Sequence, residues 1–188
     1  MKFTSLLLSS FMITLPLHAQ NDPTQESAKI GESVSTALIQ KLSGELKAQI
    51  SQNGILAALG FCNASAQTLT AEISNTTNYR VKRVTLLDRN PHNLANTEES
   101  AILNAWQKKL NESQVLPAYE IHSKGNMDHY YRPLVINNEA CLKCHGNIDP
   151  QSELGKAIKT AYPNDRATGY KMGDLRGMIV VDIPVIKR

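Results

Sequence analysis

Residues 115–136 read VLPAYEIHSKGNMDHYYRPLVI. β-branched and aromatic residues alternate with polar ones on both sides of Lys124-Gly125-Asn126. Residues 115–122 and 127–136 are therefore predicted as two strands joined by a tight turn. A hairpin forces antiparallel pairing. Further out, residues 79–87 (YRVKRVTLL) alternate in part, and residues 175–183 (LRGMIVVDI) predict a last strand. Upstream the pattern is helical: Val34, Leu38, Leu42, Leu46 and Ile50 recur at four-residue steps within residues 27–52. Asn53-Gly54 breaks that run. In a second helix over residues 55–73, Leu59, Cys62, Ala66, Leu69 and Ile73 share one face, so Cys62 is expected to point inward. Asn90-Pro91 reads as a turn. Asn96 or Thr97 can cap a helix over residues 98–110, with Trp106 in the core and Glu98 and Glu99 in its first turn. Short helices are expected around residues 139–146 and over 152–160, and a loop over 161–173. The fold class is α+β, with helices packed on a small antiparallel sheet, not a doubly wound parallel one.

The chain opens MKFTSLLLSSFMITLPLHAQ. A lysine, an apolar run and a small residue at Ala19 form the layout of a secretory signal peptide, with cleavage expected after residue 19. The apolar run is shorter than the ~20 residues that cross a bilayer, and no other stretch is long enough, so no membrane span is expected after cleavage. A net charge of +3 without any basic run argues against nucleic acid and anionic membrane surfaces as partners. Export implies a periplasmic, oxidising location, in which each cysteine needs an explanation.

Two of the three cysteines lie in Cys141-Leu142-Lys143-Cys144-His145-Gly146. A thioredoxin-type redox pair would open a helix within a βαβ unit, which is not the context here. A structural zinc needs four ligands, and no second Cys or His pair accompanies the first. Covalent haem accounts for all three side chains. Cys141 and Cys144 each add to one vinyl group, and His145 lies beneath the iron as its proximal ligand. One haem c is the expected cofactor.

The sixth iron position has several candidates: Met127, Met172, Met178, His92, His122, His129 and Cys62. Cys62 is either a small buried hydrophobe or a soft ligand protected in the pocket. His129, just before Tyr130-Tyr131 in a predicted strand, is its strongest rival.

Three blocks carry a family resemblance. The first runs from Arg83-Val84-Thr85 through Arg89-Asn90-Pro91-His92-Asn93 to Glu99. The second is Tyr130-Tyr131-Arg132-Pro133-Leu134 leading into the Cys-x-x-Cys-His motif. The third is Tyr162-Pro163-Asn164-Asp165-Arg166-Ala167-Thr168-Gly169-Tyr170, closed by Gly173-Asp174-Leu175-Arg176-Gly177. The chain resembles the PAS-like c-type haem domains, long catalogued as a domain of unknown function. Leu94-Ala95 stands where the family pattern leads one to expect a proline after Asn93. The resemblance implies a PAS-like antiparallel sheet preceded by a long helical segment, and Cys/His axial ligation with Cys62 as the thiolate opposite His145. A thiolate ligand favours ferric iron and lowers the reduction potential. Tyr131, Arg132, Tyr170 and Arg176 fall in the family blocks and are candidate partners of the haem propionates. The expected organisation is a signal peptide over residues 1–19, a helical segment over 20–52 and a PAS-like haem c domain over 53–188.

The expected function is that of an exported monohaem cytochrome in one-electron transfer with a separate redox partner protein. The alternative is a redox or diatomic-gas (CO or NO) sensor acting through another protein. No residue is assigned a catalytic role, and the N-terminal helices leave a homodimer open.

Overall fold

The computed structural model describes residues 23–185. The expected signal peptide lies outside them. Helix α1 spans Pro23–Thr77 and is interrupted at Gly54, whose φ of 81° and ψ of 177° are not helical. This is the break expected at Asn53-Gly54. Strand β1 (Arg80–Val84) follows, then a 3-10 turn at Pro91–Asn93, helix α2 (Thr97–Asn111) and the hairpin β2 (Glu120–Lys124) and β3 (Met127–Val135). Short helices α3 (Glu139–His145) and α4 (Glu153–Ala161) precede the last strand, β4 (Leu175–Pro184). The strands form one antiparallel four-stranded sheet in the order β1-β4-β3-β2. The α+β layout expected from the sequence is observed.

Central strand β4 explains the unbroken apolar run in residues 175–183. Both its faces are covered, so alternation has no polar side to show. Met178 and Val180 pack with Trp106, Leu103 and Tyr131 beneath α2. Ile179, Val181 and Ile183 face Val34 and Leu38 of α1 together with Tyr130. Gly31 lets α1 approach closely, because a Cβ there would lie 2.2 Å from the Tyr130 ring. Polar pins fix the helix in place: Ser27 donates to Asp128 at 2.6 Å, and Arg132 donates to Ser35 and Thr36 at 3.1 and 2.7 Å.

Asn96 is the residue that caps α2, accepting from the Glu99 amide at 2.9 Å while Glu99 accepts from the Asn96 amide. Trp106 is fully buried and donates through Nε1 to Glu120 at 2.6 Å. Two strands are shorter than expected. The segment before Glu120 stays irregular where Pro117 has no amide to give a ladder, and Val115 is 92% exposed. β1 stops at Val84 because Thr85 turns aside to bridge Leu94. Among the described residues, no helix is long and apolar enough to cross a membrane.

Candidate haem-binding site

The Cys-x-x-Cys-His motif occupies α3, capped by Asn138, whose side chain accepts from the Ala140 amide at 2.8 Å. Loop 167–170 zips onto its far end. Gly169 donates to the Gly146 carbonyl at 2.8 Å, and Tyr170 to the His145 carbonyl at 2.9 Å. Cys141 and Leu142 pack against Ile136, Ala167 and Tyr170. The Tyr170 ring stands edge-on to His145, with centroids 6.2 Å apart.

His145 Nδ1 lies 2.7 Å from the Ala167 carbonyl oxygen. A carbonyl can only accept, so Nδ1 carries the proton and Nε2 keeps its lone pair. Burial, then the Arg176 and Arg89 charges, push His145 down to about 3. The ring is therefore neutral at ordinary pH.

Cys62 lies between two anchored turns of α1. One turn before it, Leu59 packs on Ile158 and Tyr162. One turn after it, the Ala66 carbonyl accepts from Arg83 Nη2 at 3.4 Å. Burial pushes the Cys62 thiol up, as does the neighbouring Cys144, while Arg83 and Arg89 oppose that shift. Burial raises Cys144 as well, with Arg89 opposing. All three cysteines are unpaired thiols. Cys62 is thus near enough to Cys144 to feel its charge, across a separation that local sequence does not encode.

Three arginines surround this cluster. Arg89 forks onto Asp165 at 3.1 and 3.0 Å and donates from Nη2 to the Cys144 carbonyl at 2.7 Å. Arg176 donates to Thr85 Oγ1 at 2.9 Å and to the Leu87 carbonyl at 3.1 Å, its guanidinium 5.4 Å from the Tyr170 ring centre. Burial pulls both Arg83 and Arg176 below their usual values. Arg83 Nε is buried without a partner.

Of the predicted site residues, Cys141, Cys144, His145, Cys62, Tyr170 and Arg176 come together. Tyr131 and Arg132 do not join them. Tyr131 belongs to the core with Trp106 and meets His122 edge-on, and burial followed by Glu98, Glu99 and Asp182 pushes it up to about 12. Arg132 is committed to the hydroxyls of α1. The rival ligand His129 bonds Asp182 at 2.8 Å, Met178 is fully buried in the core, and Met172 is 51% exposed. Arg83, Arg89 and Asp165 were not singled out individually by the sequence. They stand in the family blocks, but Arg89 and Asp165 are 76 residues apart and carry no local signal. A cleft of about 250 Å³ beside Tyr170 and Arg176 has none of the cysteines nor His145 in its lining.

The donor set suits a haem. Among the described residues, no group of three or more His, Cys, Asp or Glu is arranged to hold a metal alone. An imidazole nitrogen with a free lone pair and soft thiols nearby are donor types that would suit haem iron. The unpartnered Arg83 Nε and the surrounding cations suit a group that carries carboxylates.

The fold and site define an α+β domain with a Cys-x-x-Cys-His helix and a third, half-buried cysteine on α1. The Tll0287-like family model matches residues 17–184, and the chain belongs to that family. It is similar to the solved structure of the cyanobacterial haem protein Tll0287. Identity is 24%, covering 90% of this chain and 99% of that one, with a TM-score of 0.61. At that identity the likeness shows the fold. The curated proteins contain no match.

Proposed function

We propose that the chain is an exported, periplasmic monohaem c-type cytochrome acting in one-electron transfer with a separate redox partner protein. One observation carries the reading. His145, on the same short helix as Cys141 and Cys144, has Nδ1 committed to the Ala167 carbonyl at 2.7 Å and Nε2 left free as a donor. Metal-bound histidines are characteristically held in this way by a hydrogen bond at the other ring nitrogen.

In this reading Cys141 and Cys144 would hold the porphyrin covalently, each through one thioether in which the S–H and a vinyl π bond are exchanged for one C–S and one C–H bond. His145 Nε2 and the Cys62 sulfur would hold the iron. The haem, when bound, supplies the ferric–ferrous couple. The protein would hold the ligands, anchor α1 beside Cys62 through the packing of Leu59 on Ile158 and Tyr162, and provide cationic partners in Arg83 and Arg176. That the similar solved protein, Tll0287, is described as a haem protein supports the cofactor.

Expression with a c-type maturation system tests this. Pigment that survives denaturation and extraction is expected. Its absence would sink the cytochrome reading. A ferrous spectrum unchanged by CO is expected for a closed electron carrier, whereas a CO shift would favour the sensor alternative.

A further inference from the structure

The Ala167 carbonyl serves two donors. It accepts from His145 Nδ1 at 2.7 Å and from Arg89 Nη2 at 3.3 Å. We propose that the buried Arg89–Asp165 pair tunes the iron by governing how strongly this carbonyl pulls on the His145 proton. The inference rests on the haem reading above and concerns positioning residues, since neither side chain touches the iron.

A carbonyl oxygen has two lone pairs and can accept from both. Arg89 Nη2 has two hydrogens and also serves Asp165 and Cys144, so its 3.3 Å contact to Ala167 is the weaker arm of a shared hydrogen bond. A strong acceptor at Nδ1–H makes the imidazole a better donor through Nε2. A guanidinium on the same oxygen draws density away and weakens that effect. Asp165 controls the guanidinium in turn. It takes both Nε and Nη2 of Arg89, and it accepts from the Ala167 amide at 3.0 Å. The Ala167 residue is therefore held by Asp165 through its N–H and by Arg89 through its carbonyl. The Arg89 contact to the Cys144 carbonyl at 2.7 Å ties the same device to the residue before His145. Both side chains are nearly excluded from solvent, at 9% and 8% exposure. Their charges are thus poorly screened at the iron's ligand.

A purely structural ion pair would make a different prediction: loss of either partner would loosen the fold without moving the potential. The test is a spectroelectrochemical titration of the haem-loaded, full-length protein and its Arg89→Gln, Asp165→Asn and double variants, with covalent haem content and thermal midpoint measured alongside. Arg89→Gln is expected to shift the midpoint potential to more negative values, because ferric iron loses a nearby cation and gains a better-donating histidine. Asp165→Asn is expected to shift it to more positive values, and the double variant to fall between. Arg89→Lys keeps the charge and is expected to stay closer to wild type than Arg89→Gln. If Arg89→Gln does not load haem, Asp165→Asn and Arg89→Lys decide the sign. Folded, haem-loaded variants with unmoved potentials, or with both singles shifted in the same direction, overturn the inference. A wild-type protein without covalent haem removes instead the reading on which it stands.

Discussion

His145 Nδ1 and the carbonyl oxygen of Ala167 lie 2.7 Å apart, although 22 residues separate them in the chain. The contact fixes the tautomer, and with it the nitrogen that faces outward from α3. It also carries a consequence for the haem-free chain. Unfolded, His145 takes up a proton as pH falls through its ordinary 6.5, whereas burial in the fold delays that to about 3. The unfolded state binds more protons in this window, so stability is full above it and is lost as pH falls towards 3. The loss is at most about 1.4 kcal/mol per pH unit. Thermal midpoints of haem-free protein measured from pH 7 to pH 4 should fall steadily. A His145→Gln protein should lose much of that slope, and an equal slope would place the sensitivity elsewhere.

Cys62 is the one thiol outside the motif, and it reaches the cluster from α1. If its sulfur is the sixth ligand, Cys62→Ser replaces a strong charge donor by a weak one. The ferric spectrum should change and the midpoint potential should rise, because thiolate favours the ferric state. A ferric spectrum identical to wild type would remove Cys62 from the iron.

Cys141 and Cys144 should each account for one thioether. Cys141→Ala and Cys144→Ala are each expected to alter or abolish attachment, with any remaining pigment held by one bond. The pyridine haemochrome spectrum reads the number of unreacted vinyl groups. A two-thioether spectrum from either variant would refute the assignment.

Gly31 tests the packing of α1 on the sheet without touching the cluster. A methyl group there would lie 2.2 to 2.7 Å from three atoms of the Tyr130 ring. Overpacking of this kind costs about 1–3 kcal/mol. Gly31→Ala should lower the thermal midpoint of the haem-loaded protein while leaving its visible spectrum unchanged. No loss of stability would mean that α1 stands off the sheet.

Much of the architecture was legible because it is written in short-range patterns. The hairpin around Gly125-Asn126, the interruption at Gly54 and the Asn96 cap each depend on a few neighbouring residues. The spacing of Leu59, Ala66 and Leu69 did mark a buried face, on which Cys62 is half-buried. Errors arose where tertiary pairing overrode local preference. Residues 115–119 carry strand-like residues, yet they pair with no strand and hold a proline. Tyr131 and Arg132 precede the motif closely in sequence, but β3 turns Tyr131 towards α2 and Arg132 towards α1. Proximity along a strand says little about proximity to the helix that follows it, because the strand ends and the chain turns before the helix starts.

The sequence by itself determined most of the elements, their antiparallel arrangement and the grouping of Cys141, Cys144 and His145, since all three lie within one helical turn or so of one another. Only the tertiary structure decided which distant groups meet them. Cys62 arrives on α1, Arg83 on β1, Arg89 from the segment after it, and Asp165 and Ala167 from the loop before β4. Their meeting depends on the register of β1 on β4 and on how α1 and α4 pack. Those relationships are set by the burial of whole faces, not by any local run of residues.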